Sequence, residues 1–387
     1  MLKISIATGP FLPCGSGPAG AVEKLWFGVA KQFVTLGHQV TIIARAWPGQ
    51  PADETVGGVR IVRRSGYKRS TSVKWDLLND LAYSLRLLVV LPNADITVVN
   101  AFWLPVFATG FKHRLGKVVL NVARFPKHQM SLYRSVDRLS AVSQAIADEI
   151  VRQTPSVQGL VRVVPNPVDV EWFLPADPLP PRNGGFRILF TGRVHPEKGL
   201  HLLIRAIRYL VGAYPDVELA IVGPTLTEHG GGGATYMAEL KRLAQRLPVR
   251  FESAIGDSET LARRMVDADY YCYPSLADRG ESFGVAPLEA MALGYVPILS
   301  NLPCFREFAM DGVNCFVFDH HHADPVEQLA GALRRAMEAP ELTRAMGQNA
   351  VQVAQRFSYR NVAQAYLNDW QSLVNQTTDK GPLDGRQ

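Results

Sequence analysis

Short apolar runs alternate along this chain with stretches whose apolar residues recur every three or four positions. Residues 3–8 (KISIAT) and 39–45 read as buried strands. Between them Leu25, Val29, Phe33 and Leu36 mark one face of a helix over 21–36, closed by Gly37. Strand, helix, strand in this order predicts a right-handed parallel crossover. A second amphipathic helix is expected over 73–91. Short buried strands follow at 95–100, 117–122 and 138–142, with Ser143 as cap of the next helix. At 175–185 (PADPLPPRNGG) four prolines and two glycines break every period, which reads as a linker. The alternation then restarts. Strands are expected at 187–191, 217–222, 249–252, 270–273 and 296–300, and helices at 200–211, 236–247 and 285–293, with further helices to about residue 373. Two such halves predict an α/β chain of two doubly wound, Rossmann-like domains facing each other across a cleft. The first is expected over 1–175, a linker over 176–186, the second over 187–357, a terminal helix over 358–375 and a flexible tail over 376–387.

Composition narrows the class. Of 387 residues 47% are hydrophobic and 20% charged, which fits a globular chain and excludes disorder as the main state. No apolar run approaches the length of a spanning helix, and no signal-peptide pattern opens the chain, so a cytoplasmic location is expected. Cys14, Cys272, Cys304 and Cys315 are scattered without metal or disulfide spacing and read as reduced thiols. Charge is uneven. Residues 1–174 hold 20 Lys and Arg against 11 Asp and Glu, or +9, whereas the rest carry −3. A basic half suits an anionic partner or serves solubility. No nucleic-acid-binding motif accompanies it, and no nucleic-acid partner is expected.

Three motifs carry chemistry. Gly15, Gly17 and Gly20 match G-x-G-x-x-G, but seven residues separate Ala7 from Gly15 and the second strand ends at Arg45. A dinucleotide site needs glycines directly after the strand and an acidic residue ending the second one. Arg45 leaves an NADP reading open; the alternative is a glycine loop at the sheet edge, with Gly20 at a helix start suited to phosphate. In the second half, residues 186–200 read FRILFTGRVHPEKGL. A strand runs into Gly192, Arg193 and Lys198 flank a turn, and a helix begins near Gly199. Two cations beside a helix start suit a diphosphate or form a solvated turn. Residues 274–291 (PSLADRGESFGVAPLEAM) place Glu281 in a loop and Glu289 among apolar residues of the following helix. Such carboxylates accept hydrogen bonds from sugar and ribose hydroxyls, and a carboxylate among apolar neighbours needs a partner.

These residues resemble the retaining glycosyltransferases of family 4, with the GT-B architecture, over nearly the whole chain. The E-x7-E element from Glu281 to Glu289 is the most specific part. GRVHPEKGL supplies the Arg193 and Lys198 pair. Residues 164–173 (VPNPVDVEWF) match the segment ahead of the linker, and Phe357-Ser358-Tyr359 opens the terminal helix that crosses back to the first domain in similar proteins. The resemblance implies hexosyl transfer with retention from a UDP- or GDP-linked sugar, by front-face attack with no metal, no other cofactor and no side-chain nucleophile. Arg193, Lys198 and Glu281 are the implied catalytic residues. Gly20, Gly192, Ser282, Phe283, Gly284 and Glu289 are the implied donor contacts. The acceptor, a glycan or a lipid-linked sugar of cell-surface polysaccharide, lipopolysaccharide or glycolipid synthesis, falls to the first domain. The family's usual first-domain His is replaced by Ala123, and Arg124 and Lys127 stand beside it as acceptor contacts. That loss also fits a catalytically weak GT-B protein serving as a binding partner in a glycan-assembly complex.

Three further features bear on partners. Arg60, Arg63, Arg64, Lys68, Arg69 and Lys74, with Lys112, Arg114 and Lys117 near Phe102, Trp103 and Phe111, suit peripheral contact with the anionic inner membrane face or form an ordinary charged surface. His320, His321 and His322 read as an exposed loop and not a metal site, because three consecutive side chains cannot converge from a strand or helix. Gly230 to Gly233 reads as a mobile loop, with phosphate contact as the alternative.

Overall fold

A computed structural model of the chain describes residues 1–15, 20–174 and 186–378. They form two units, one of residues 1–167 with the helix that starts at Tyr359, the other of residues 168–358.

In the first unit, β1 (Lys3–Ala7), α1 (Ala21–Thr35) and β2 (Gln39–Arg45) make the expected crossover. A hairpin follows, β3 (Asp53–Val56) and β4 (Val59–Arg64), which periodicity did not show. Then come α2 (Val73–Val90), β5 (Ile96–Val99), the short helices α3 (Leu104–Ala108) and α4 (Lys112–Leu115), β6 (Lys117–Val122), β7 (Arg138–Ala141), α5 (Gln144–Gln153) and β8 (Val161–Val163). Ser143 caps α5, its Oγ accepting the Ile146 N–H at 3.3 Å. The strands order as β3-β4-β2-β1-β5-β6-β7-β8 and are parallel except for the β3–β4 pair. Helices on both faces explain why β1 and β5 are apolar or buried at almost every position.

The second unit runs β9 (Phe186–Thr191), α6 (Leu200–Leu210), β10 (Val217–Val222), α7 (Gly233–Leu243), β11 (Val249–Glu252), α8 (Ser258–Met265), β12 (Tyr270–Tyr273), α9 (Val285–Ala292), β13 (Ile298–Ser300), β14 (Phe316–Phe318), α10 (Pro325–Glu338) and α11 (Pro340–Arg356). Its sheet is wholly parallel in the order β11-β10-β9-β12-β13-β14. Each sheet therefore reverses its strand order once, beside β1 and β5 in one and beside β9 and β12 in the other. Ligands of open α/β sheets bind outside the carboxyl ends of the strands at such points.

The last helix, α12 (Tyr359–Thr378), packs on α1 in the first unit. Trp370 and Tyr366 meet Phe33 and Trp26 with ring centroids 5.3 and 5.2 Å apart. Helix α12 runs to Thr378, past the expected helix end at 375; the rest of the expected tail, residues 379–387, lies outside the described residues, as does the expected linker at 175–185. The first domain was expected to reach 175, but the chain enters the second unit at Val168, whose N–H donates to the Phe357 carbonyl at 2.8 Å. Among the described residues no helix is long and apolar enough to cross a membrane. All four cysteines are buried and unpaired by disulfides.

Candidate functional site

At the second unit's switch point the chain leaves β9 through Gly192, turns at Pro196–Lys198 and enters α6 from Gly199. Gly199 has φ 67°, and a Cβ there would collide with the Pro274 carbonyl after β12. That close approach seats the turn against the loop after β12. The Glu197 carbonyl accepts the Leu276 N–H at 2.7 Å and the Ser275 Oγ at 3.3 Å. Lys198 is thereby buried, 4% exposed, with its Nζ 2.5 Å from Glu281 Oε2. Tyr273 donates its hydroxyl to the same oxygen at 3.0 Å, and its ring lies 5.1 Å below the ammonium. Burial and the Glu281 charge push the Tyr273 phenol well above its ordinary value, so it stays a donor.

Arg193 is half-exposed and bound twice. Its Nη2 meets Glu197 Oε1 at 2.5 Å and its Nη1 the Gly230 carbonyl at 3.2 Å. The two implied cations are thus not a bare pair; each faces a carboxylate. Glu197 and Tyr273 went unrecognised in the sequence. Only the i,i+4 spacing of Arg193 and Glu197 signalled the first, and nothing local signalled the second.

The E-x7-E segment divides by burial. Phe283 is buried and packs on Phe308 and Phe357, each 5.7 Å away, so only its backbone can face a ligand. Ser282 and Glu289 are half-buried. Gly284 precedes α9 with φ 91°. The N–H groups of Val285 and Ala286 in the first turn of α9 have no acceptor within the helix, and Pro287 after them has no N–H. The Glu289 charge helps raise the phenol of buried Tyr271, after the larger effect of burial.

Two expectations about this region change. The Gly230–Gly233 loop is fastened, each of its four N–H groups bonding a backbone carbonyl (Thr227, Leu226, Val194 and Thr225) at 2.8 to 3.0 Å. Those donors are used, which removes the phosphate reading. The histidine run is not a uniformly exposed loop either: His320 is buried and faces Asp278, from a different loop, with Nε2 at 3.3 Å.

In the first unit, Gly20 caps α1, but its space is filled by Glu23. A Cβ at position 20 would strike the Glu23 carboxylate, so this helix end already holds an anionic group of its own. Burial raises the Glu23 carboxyl pKa, and the Arg124 charge opposes that rise. Arg124 and Lys127 are exposed in the loop after β6, with Ala123 at the strand's end. His128 is exposed, at φ 66°, its N–H held by Gln153 at 2.8 Å. Beside β1, Asn100 accepts from Trp26 and Asn121 at 3.1 and 2.9 Å and donates to the Ala7 carbonyl. Glu23, Asn100 and Asn121 carried no motif and were missed.

Arg45 does not await a nucleotide phosphate. It donates to the Phe11 carbonyl and lies 5.0 Å over Trp47, while Gly17 falls outside the described residues. The basic clusters also change. Arg63 is buried against Glu54, the Pro51 carbonyl and the Cys14 carbonyl. Arg60 pairs with Asp53, Lys112 and Lys117 with Asp137, and Arg114 donates to the Leu88 and Leu91 carbonyls. Lys68, Arg69 and Lys74 remain exposed at the start of α2, whose outer face presents Trp75, Leu78, Leu85 and Val89, the last 80% exposed.

Comparison with known proteins gives matches in both halves. Residues 177–353 match the family described as Glycosyl transferases group 1, and residues 22–172 match Glycosyltransferase Family 4. The chain is 40% identical over 323 residues to the phosphatidyl-myo-inositol mannosyltransferase of Mycobacterium tuberculosis, covering 79% of this chain and 80% of that one. It is 28% identical over 403 residues to D-inositol 3-phosphate glycosyltransferase 2 of Catenulispora acidiphila, covering 94% and 92%. Among solved structures, Anabaena HepE in complex with UDP and glucose superposes with a TM-score of 0.70 at 18% identity, over 96% of this chain and all of that one. The shared architecture is GT-B.

Proposed function

Because the chain belongs to glycosyltransferase family 4, it transfers a sugar from a nucleotide-sugar donor, and we propose that it does so with retention of configuration. The observation that carries this reading is the buried Lys198–Glu281 pair at the second unit's switch point, beside the start of α9. A UDP- or GDP-linked hexose lies along this edge. Its diphosphate draws Arg193 away from Glu197 and takes charge from Lys198, and α9 offers its first N–H groups. Negative charge grows on the leaving diphosphate in the transition state, where preorganised cations contribute most. The reading therefore needs no metal at the diphosphate. Glu281 orients Lys198 and accepts from a sugar hydroxyl, and Glu289 accepts from the ribose. The acceptor hydroxyl attacks from the face the diphosphate leaves, so no side-chain nucleophile enters.

The acceptor belongs to the first unit. The two relatives are named for phosphatidyl-myo-inositol and D-inositol 3-phosphate, which share an inositol phosphate. Arg124 and Lys127 suit its phosphate, and the Glu23–Asn100–Asn121 edge suits its hydroxyls. A lipid-borne acceptor also gives a use to the apolar outer face of α2 and its basic start, which fit an anionic membrane surface. The product is then a glycolipid of the cell surface.

The test is transfer from UDP- and GDP-hexoses to inositol phosphate and to phosphatidylinositol vesicles, with the anomeric configuration of the product read by NMR. Retention in a phosphoinositol product supports the reading. An inverted product, or transfer only to acceptors without phosphate, refutes it. Ala123 favours one second reading, a weakly catalytic binding partner. Donor binding without transfer to any acceptor would support that reading instead.

A further inference from the structure

Two loops of the second unit bring metal-ligating side chains together outside the diphosphate site. Asp278, His320 and His321 each place one ligand atom within 4.8 Å of the others. Both imidazole Nε2 atoms lie 3.3 Å from the same oxygen, Asp278 Oδ1, and the two rings are 4.0 Å apart. Consecutive residues of a strand point to opposite faces, but β14 ends at Phe318 and the histidines sit in the turn beyond it. There Asp319 Oδ1 accepts the His321 N–H at 2.9 Å, which swings the second ring beside the first. His322 takes no part, its Nδ1 accepting the Asp324 N–H at 3.1 Å.

The two approaches to Asp278 have the spacing of a coordination site. Metal–ligand bonds of about 2.0–2.1 Å in a tetrahedron place neighbouring ligand atoms roughly 3.3–3.4 Å apart. The His320 side chain is only 3% exposed, and among the described residues its Nδ1 has no hydrogen-bond partner. A buried imidazole whose polar contact is one 3.3 Å approach gains little for leaving water. A metal bond at Nε2 would replace that one long contact with a stronger one, and it leaves Nδ1 without a partner among the described residues. The His321 and Asp278 side chains are 66% and 47% exposed, which leaves the fourth position open to solvent.

We propose that Asp278, His320 and His321 bind a transition-metal ion, with zinc the best fit to two imidazoles and one carboxylate. Magnesium and calcium prefer all-oxygen sites and fit poorly. The ion would tie the end of β14 to the loop that leads into Glu281. Gly280 and Glu281 already donate their N–H groups to the Ala277 carbonyl at 3.0 and 2.9 Å, so a fixed Asp278 fixes the approach to that carboxylate. The ion touches no reacting atom, and its binding is measurable without sugar transfer.

The test uses the untagged full chain, stripped with a chelator. It is titrated with zinc chloride by calorimetry and with cobalt(II) in the visible spectrum. One ion per chain and the strong visible bands of tetrahedral cobalt are expected. Affinity should fall by about tenfold or more in His321→Ala and in Asp278→Ala. Both side chains are exposed, and circular dichroism of the metal-free variants checks that they fold. Absence of zinc binding up to millimolar concentration overturns the proposal. So does binding that both variants leave unchanged, or magnesium binding of equal strength.

Discussion

Replacing Lys198 by alanine perturbs two things at once, and the structure allows them to be separated. The ammonium is buried and stands 2.5 Å from Glu281 Oε2. Removing it strands a buried carboxylate, which costs about 3–5 kcal/mol of stability when one member of a buried pair is lost. If Lys198 also stabilises the leaving diphosphate, turnover should fall by about 10²–10³-fold, the effect of losing one preorganised charge donor. The double variant Lys198→Met with Glu281→Gln removes both charges while keeping volume. Its urea midpoint should return toward that of the wild type, since a neutral isosteric pair carries no unpaired charge. Its turnover with saturating donor should stay at least about 10²-fold down. Recovery of turnover together with stability would mean that the pair only holds the loop after β12, and would refute the diphosphate assignment.

Four further outcomes rest on the same structure. Arg193→Ala should lower turnover by about 10²-fold with little change in melting temperature, because this side chain is half-exposed and its partner Glu197 can be solvated; near-normal turnover would count against its contact with the diphosphate. Burial raises the Glu23 carboxyl above its unfolded value, so the folded state gains relative stability as the group takes up its proton and loses it as pH rises from the unfolded to the folded pKa. Urea midpoints of Glu23→Gln should therefore match the wild type in acid and exceed it above the carboxylate range; a constant difference at all pH values would refute that sign. Trp75→Ser with Leu78→Ser should abolish flotation with anionic vesicles and leave stability unchanged, whereas Arg63→Ala should unfold the chain, which urea titration distinguishes.

Periodicity revealed the crossover units because strands buried on both faces read as apolar runs and α1 and α6 each carry a buried stripe. It missed β3 and β4 because β3 (DETV) is short and polar and the three arginines of β4 (VRIVRR) read as a surface cluster, although Gly57 and Gly58 between two short runs are a turn signal. The positions of Arg193, Lys198, Glu281 and Glu289 were legible because local motifs carry them. Their partnerships were not. Lys198 meets Glu281 only because β9 and β12 lie side by side, an adjacency set by strand order and not by local spacing. The Asp278–His320 approach has the same origin, joining loops 42 positions apart.

The discontinuity of the first unit has a consequence for how the protein is made. Trp26 and Phe33 on α1 are fully buried, and Tyr366 and Trp370 of α12 are part of what covers them. On the ribosome that face emerges early, whereas its cover is encoded after the whole second unit. At about 5–20 residues per second, the interval from Pro167 to the end of α12 lasts roughly ten to forty seconds. For that time the nascent chain carries an unfinished aromatic face, and holdase chaperones that bind apolar surface have a defined window and a defined site.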